Sequence, residues 1–301
     1  MPRQAIKRYH SRQALCITVM FLLGAVMHTV CHGETTRAAV NHLPFSSGEK
    51  LTFQVRWSFI PAGKVVLEIL PVETVESFRA YHFVMTARTY PLVDVFYKVR
   101  DRIDSYTDTQ MTGSLLYREQ STGRRPKDVA VTFNWKKGEV QYSNFGEKRA
   151  PIPLLPGSFD PLSIFYAFRL CDLGKNTQLE APVSDGKKCV VGKATVIKRE
   201  TVFLVSGVYD TYLVEPDLKH IGGVFEKSPD AKMKIWVTAD ERRIPVMIKS
   251  KVKVGSFVAE LMPPGHDDRE DVWSRDTTGI PVKEGLIIPY RAAAETDTVQ
   301  K

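Results

Sequence analysis

Leu51-Thr52-Phe53-Gln54-Val55-Arg56-Trp57-Ser58 sends large apolar side chains to one side and polar ones to the other. That period of two is the signature of a strand with one buried face. Val129-Ala130-Val131-Thr132-Phe133-Asn134-Trp135-Lys136 repeats it, and it returns in Val246-Ile248, Val252-Val254 and Phe257-Ala259-Leu261. Turn-forming Pro61-Ala62-Gly63, Lys137-Gly138, Asp185-Gly186 and Gly222-Gly223 fall between such runs. Segments 63–73, 79–90, 95–107, 114–121, 188–200, 201–206, 208–216 and 232–238 read as further strands. An alternating α/β fold needs repeated amphipathic helices, and the sequence lacks them. The expected fold is mainly β: a large curved antiparallel sheet or incomplete β-barrel of about a dozen strands with one buried helix.

The helix is expected over Asp160-Pro161-Leu162-Ser163-Ile164-Phe165-Tyr166-Ala167-Phe168-Arg169-Leu170, with Asp160 as N-cap and Pro161 at the first helical position. It is apolar nearly all round, so it should be buried against the sheet. The stiff stretch Pro151 to Gly157 precedes it. Residues 45–262 then form a single β-rich domain, with halves 45–143 and 171–262 joined by the loop and helix 144–170. Residues 34–44 read as a loose lead-in. After Pro263-Pro264-Gly265 the charged run His266 to Asp271 leads into a mostly disordered tail, 263–301.

Arg3, Lys7, Arg8 and Arg12, followed by the apolar run Ala14 to Val30, have the form of a signal peptide over residues 1–33. Thr18, His28 and Thr29 interrupt that run, which argues for cleavage near Gly33 over retention as an inner-membrane signal anchor. Cys31 lacks the small preceding residue that lipidation favours. The expected location is the periplasm, with no membrane-spanning segment left after cleavage. The chain carries 42 Lys+Arg against 34 Asp+Glu over 301 residues. Four of those basic residues belong to the leader, so its removal leaves 38 against 34, a charge of +4 that gives no reason to expect nucleic acid. Two cysteines remain, Cys171 and Cys189. In an oxidising compartment they are either a disulfide or two unrelated small core residues.

The usual catalytic spacings are missing: there is no H-E-x-x-H, G-x-S-x-G, P-loop or G-x-G-x-x-G. His42, His82, His220 and His266 are scattered, with no pair at metal-ligand spacing, and no two carboxylates stand out as an acid and base. No catalytic residue, metal or cofactor is expected. Two features are suggestive. Arg118, Arg124, Arg125 and Lys127, with Lys136 and Lys137 nearby, form either a patch for phosphate-bearing headgroups or an acidic partner, or simply solvated hairpin ends. The strand aromatics are either core or the wall of an apolar groove. Trp57, Trp135, Phe53 and Phe133 are the candidate wall residues, because one short helix should not fill the concave face of so many strands.

Gly48-Glu49-Lys50-Leu51-Thr52-Phe53-Gln54-Val55-Arg56-Trp57 with Pro61-Ala62-Gly63 resembles the opening of an exported Gram-negative bacterial family built on a domain of unknown function. Asp160-Pro161-Leu162-Ser163 and Ser184-Asp185-Gly186-Lys187-Lys188 resemble its middle. Lys234-Ile235-Trp236-Val237-Thr238, Asp240, Arg243-Ile244-Pro245-Val246 and Val254-Gly255-Ser256 resemble its end. The resemblance implies an envelope location and a large antiparallel sheet, and it supplies no catalytic residue. The expected function is a non-enzymatic envelope protein that binds an apolar or lipid-like ligand or assists envelope assembly. The alternative is a scaffold that pairs with a partner protein through an exposed strand edge, and an enzyme without a recognisable motif comes third.

Overall fold

The computed structural model describes residues 43–123, 126–219, 228, 230–253 and 255–265. The expected leader, most of the lead-in, most of the tail and the Gly222-Gly223 turn lie outside the described residues. Within them the chain forms fifteen strands in one sheet and two short helices. The first group comprises β1 (Lys50–Trp57), β2 (Ile60–Val75), β3 (Phe78–Thr89), β4 (Arg100–Asp108), β5 (Ser114–Ser121), β6 (Lys127–Asn134), β7 (Glu139–Asn144), β8 (Glu147–Lys148) and β9 (Ile152–Pro153). The second comprises β10 (Gln178–Ser184), β11 (Cys189–Leu204), β12 (Gly207–Pro216), β13 (Lys232–Thr238), β14 (Pro245–Val252) and β15 (Gly255–Leu261). Helix α1 is Pro91–Asp94 and α2 is Ser163–Phe168.

The strand order is β10-β11-β12-β13-β14-β15-β1-β2-β3-β4-β5-β6-β7-β8, with β9 paired to β7. The chain therefore starts in the middle of the sheet, meanders to one edge, crosses to the other, and meanders back to lay β15 beside β1. All the strand pairings are antiparallel. Among the described residues β8 and β10 do not pair, so the sheet stays open. The crossing segment stitches the gap. Leu154 N–H donates to Gly138 at 2.8 Å, Ser114 N–H to Ser158 at 3.0 Å, and Phe159 N–H to Pro182 at 2.8 Å.

Four local expectations give way to tertiary context. Pro61-Ala62-Gly63 lies inside β2, past a bulge at Val55/Arg56, and the turn itself is Ser58-Phe59. Gly63 is there for a close approach: a Cβ on it would sit 2.2 Å from the carbonyl oxygen of Arg88. The strand expected from 95 begins at Arg100, because Pro91 opens α1 and Tyr97 N–H returns to Val93 at 2.7 Å. Segments 188–200 and 201–206 are one strand, β11. The helix is shorter than 160–170. Asp160 serves its first turn from outside, accepting from the N–H groups of Leu162 at 2.8 Å and Ser163 at 3.0 Å.

Alternation along the strands sends Phe53, Val55, Leu67, Phe83, Met85, Ile103, Val131 and Phe133 inward, where α2 packs on them. Tyr166 lies flat on Phe83, with centroids 3.9 Å apart and planes 10° apart, and Phe45 meets both edge-on. At the end of α2 the fully buried Arg169 guanidinium forms a two-pronged ion pair with Glu49. It also donates to the carbonyls of Pro44 and Arg242, each at 2.8 Å. One side chain thus ties together the segment before β1, the helix, and the β13–β14 connection. Arg243 completes the junction by donating to the Arg169 carbonyl at 3.0 Å and to Asp172 at 2.8 Å.

Glu49→Gln should cost about 3–5 kcal/mol in chemical denaturation, because it strands a buried guanidinium. Arg169→Lys should recover little of a deletion's loss, since an ammonium cannot span the four acceptors in their fixed fan. The Tyr166 hydroxyl is buried without a hydrogen-bond partner among the described residues. Tyr166→Phe should therefore be neutral or stabilise by up to about 1 kcal/mol, whereas Tyr166→Ala should cost about 3–5 kcal/mol.

Candidate functional site

The expected groove residues do not converge. Phe53 and Phe133 are buried in the core. Trp57 ends β1, stacks on Phe257 at 6.4 Å and packs against Gly255. Trp135 follows β6, stacks on Phe133 at 6.4 Å and donates its indole N–H to the Ser114 carbonyl at 2.8 Å. Five chain reversals separate β1 from β6 in the meander, so their C-terminal ends, and with them the two tryptophans, lie at opposite ends of the sheet. A cavity beneath β2 and β3, lined by Val55, Ala62, Gly63, Lys64, Arg88, Thr89 and Val99, has a volume of about 20 Å³. That is room for one water rather than an acyl chain.

The expected basic patch is also divided. Arg118 pairs in register with Ala130 on the outer face of β5. Lys127 lies on the inner side, its ammonium 2.6 Å from Glu119. Arg124 and Arg125 lie outside the described residues. Cys171 and Cys189 do not bridge. The Cys171 thiol is 3.9 Å from the Ala167 carbonyl near the end of α2, while the Cys189 sulfur is 3.3 Å from Ser158 Oγ.

Two polar groups have the ingredients of chemistry. On the outer face, His82 lies between two carboxylates, Nδ1 at 2.6 Å from Glu73 and Nε2 at 2.8 Å from Asp104, and stacks on Tyr106 at 4.3 Å. Arg102 grips both oxygens of Asp104. Burial pushes the Asp104 carboxyl up, but the hydrogen bonds from His82 and Arg102 outweigh it and hold the group below its usual range. Burial, with the charges of Glu73 and Asp104, pushes the Tyr106 phenol up to about 12. Both ring nitrogens of His82 are taken by carboxylates, so the group forms a polar ladder across β2, β3 and β4.

On the inner face Asp101, Glu119, Ser121 and Lys127 meet near the ends of β4, β5 and β6. Burial holds the Asp101 carboxyl above its usual range. The Glu119 charge adds to this, while the Ser121 hydroxyl and Lys127 oppose it. One of its oxygens is buried without a hydrogen-bond partner among the described residues. Among the described residues no group of three or more His, Cys, Asp and Glu gathers to hold a metal. Sequence reasoning missed both groups because they depend on strand register. His82 alone carried a signal, as an imidazole on a strand.

A third feature is apolar. The β11–β12 hairpin turns through Val205-Ser206 and pairs Phe203 with Val208. β13 pairs with β12 only over Thr211 to Val214, and β10 with β11 only as far as Thr195. The tip therefore extends past both neighbours, leaving Ile197 to Leu204 without a strand on the β10 side among the described residues. Thr201 to Tyr209 contains no charged residue. Val202, Leu204 and Tyr209 pack against the core, while Phe203, Val205 and Val208 are 65–77 % exposed. Side-chain period alone divides β11 into segments 188–200 and 201–206, which conceals this surface.

A carboxyl raised by folding is harder to ionise in the native state than in the unfolded chain. Asp101 therefore subtracts stability above its native pKa and ceases to do so as pH falls through the ordinary carboxylate range. Asp101→Asn should raise the thermal midpoint at pH 7, with the gain shrinking near about pH 4.

Among solved structures the chain is similar to a β-barrel-like protein of the domain of unknown function DUF1849 from Brucella abortus. The identity is 11% and the TM-score 0.46, covering 71% of this chain and 95% of that one. It is also similar to a Bacteroides fragilis protein with a YmcC-like fold, at 10% identity and TM-score 0.28, covering 73% and 97%. No curated protein matches the chain. The model of the family described as "Protein of unknown function (DUF3108)" matches residues 52–262, from the start of β1 to just past β15, and the chain belongs to that family.

Proposed function

We propose that this protein is a non-enzymatic component of the bacterial envelope that grips a partner polypeptide along its β11–β12 hairpin. The leader-like residues 1–33 and the resemblance to an exported family support a periplasmic location. Among the described residues no helix is long and apolar enough to cross a membrane. Membership of a family of unknown function leaves the activity open, so the case rests on surfaces.

The observation that carries the reading is the hairpin tip. The open edge begins at a bulge and carries Lys198, Arg199 and Glu200, but beyond Thr201 the exposed tip has none of the charges, bulges or covers that normally blunt such a strand pair. Here Phe203 and Val208 stand side by side in the exposed tip instead. An extended partner segment laid along Ile197 to Leu204 would satisfy the edge amides and cover the apolar pair, which is the mode of strand addition. The carrier reading has less support: Phe53 and Phe133 are buried in the core, and the cavity beneath β2 and β3 is water-sized.

A photo-crosslinking residue placed at Phe203 should give one discrete adduct in intact cells, and Val208→Lys should abolish it. The same residue at Phe145, also exposed but on the β7–β8 turn, should not give that adduct. Phe203→Lys should change stability by less than about 0.5 kcal/mol, because the side chain is solvated. Absence of an adduct at 203, or the same adduct from 145, would defeat the reading.

A further inference from the structure

Across β13 and β14, Lys232 stands directly opposite Lys251 and Lys234 directly opposite Lys249. Like charges facing one another across a ladder repel. All four point away from the core, since Met233, Ile235, Ile248, Ser250 and Val252 between them are buried. Lys253 continues the row and is exposed. Among the described residues Glu215 lies 3.3 Å from Lys234, and Glu200 is near enough to feel the same ammonium. Lys249 lies over the Trp236 ring at 5.2 Å, which holds its ammonium at the surface.

The row runs to the sheet end where the β1–β2 turn sits. Ser58 N–H donates to Ser256 at 2.7 Å, placing Phe59 beside the β14–β15 hairpin. The β3–β4 connection, which contains α1, is bonded to the same end through Tyr90 N–H and the Ala62 carbonyl, 3.0 Å apart. Phe59, Leu92, Val95 and Phe96 project from these two loops and are 67–86 % exposed. The one acid of the connection, Asp94, is turned back onto Arg100 at 2.5 Å and onto Thr89. Lys98 is exposed at the far side of α1.

Apolar side chains at a tip, flanked by lysines that repel one another, match a bilayer whose headgroups carry negative charge. The former enter the headgroup boundary and the latter meet phosphates. We infer that this end of the sheet docks on an anionic phospholipid membrane, with Phe59, Leu92, Val95 and Phe96 inserted and Lys232, Lys249, Lys251 and Lys253 on the headgroups. The inference is independent of the hairpin, which lies at the other end: β12 and β13 pair Thr211 with Thr238, at the finish of β13, whereas Lys232 begins it.

The test is flotation of the protein, isolated in the form its cells accumulate, with vesicles of phosphatidylcholine alone or with about one-third phosphatidylglycerol. Binding should require the anionic lipid and weaken as salt rises. Lys249→Gln and Lys251→Gln should each weaken it about 5-fold. Phe59→Ser with Phe96→Ser should lower it at unchanged charge. Circular dichroism should be that of the parent throughout, because every altered side chain is at the surface. Equal binding to neutral vesicles, undiminished binding by folded variants, or release by millimolar inorganic phosphate at constant ionic strength would overturn the inference. The last result would assign the lysines to a free anion.

Discussion

The ion pair between the buried Arg169 and the half-buried Glu49 is the interaction on which the rest of the structure depends. An open antiparallel sheet with one apolar face is unstable until something covers that face, and the cover here is a helix of six residues. Such a helix has little stability of its own. It is held at its start by Asp160, whose carboxylate accepts from Ser105, Ser114, Leu162 and Ser163 at 2.6–3.0 Å. Arg169 and Glu49 hold it at the end. Asp160 and Arg169 are both fully buried, so each exchanges hydration for hydrogen bonds within the protein. Losing one partner is costly because it strands the other.

With α2 locked, the aromatic interior closes. Tyr166, Phe83 and Phe45 pack against one another there, and a water-sized cavity lies beneath β2 and β3. This moves the functional argument from the concave face to the ends of the sheet. The two ends differ chemically. One carries the uncharged β11–β12 tip, while the other has Phe59 and the α1 residues beside a row of lysines. An antiparallel meander produces this separation, since alternate turns fall at opposite ends.

Much of the fold was legible from side-chain period. Phe53-Val55 and Val129-Val131-Phe133 marked their strands and their buried face correctly, and Asp160 marked the start of a buried helix. Topology was not legible, because which strands pair is a non-local fact and the chain begins in the middle of its sheet. Trp57 and Trp135 were paired as groove walls on their positions at the ends of similar runs, yet strand parity sends them to opposite ends. The lysines of β13 and β14 look like ordinary solvated positions until register sets 232 against 251 and 234 against 249. Arg169 did carry a signal: a guanidinium at the end of an apolar run must find a buried acceptor.

Native-state hydrogen exchange followed residue by residue tests most directly the claim that α2 is a lock rather than a lid. The account predicts that the α2 amides, those of β1 and those flanking the β13–β14 connection exchange only through global unfolding, with one shared free energy and one shared denaturant dependence. If the α2 amides exchange by a lower-energy opening while β1 stays protected, the helix moves independently of the sheet. The interior would then be accessible and the account contradicted.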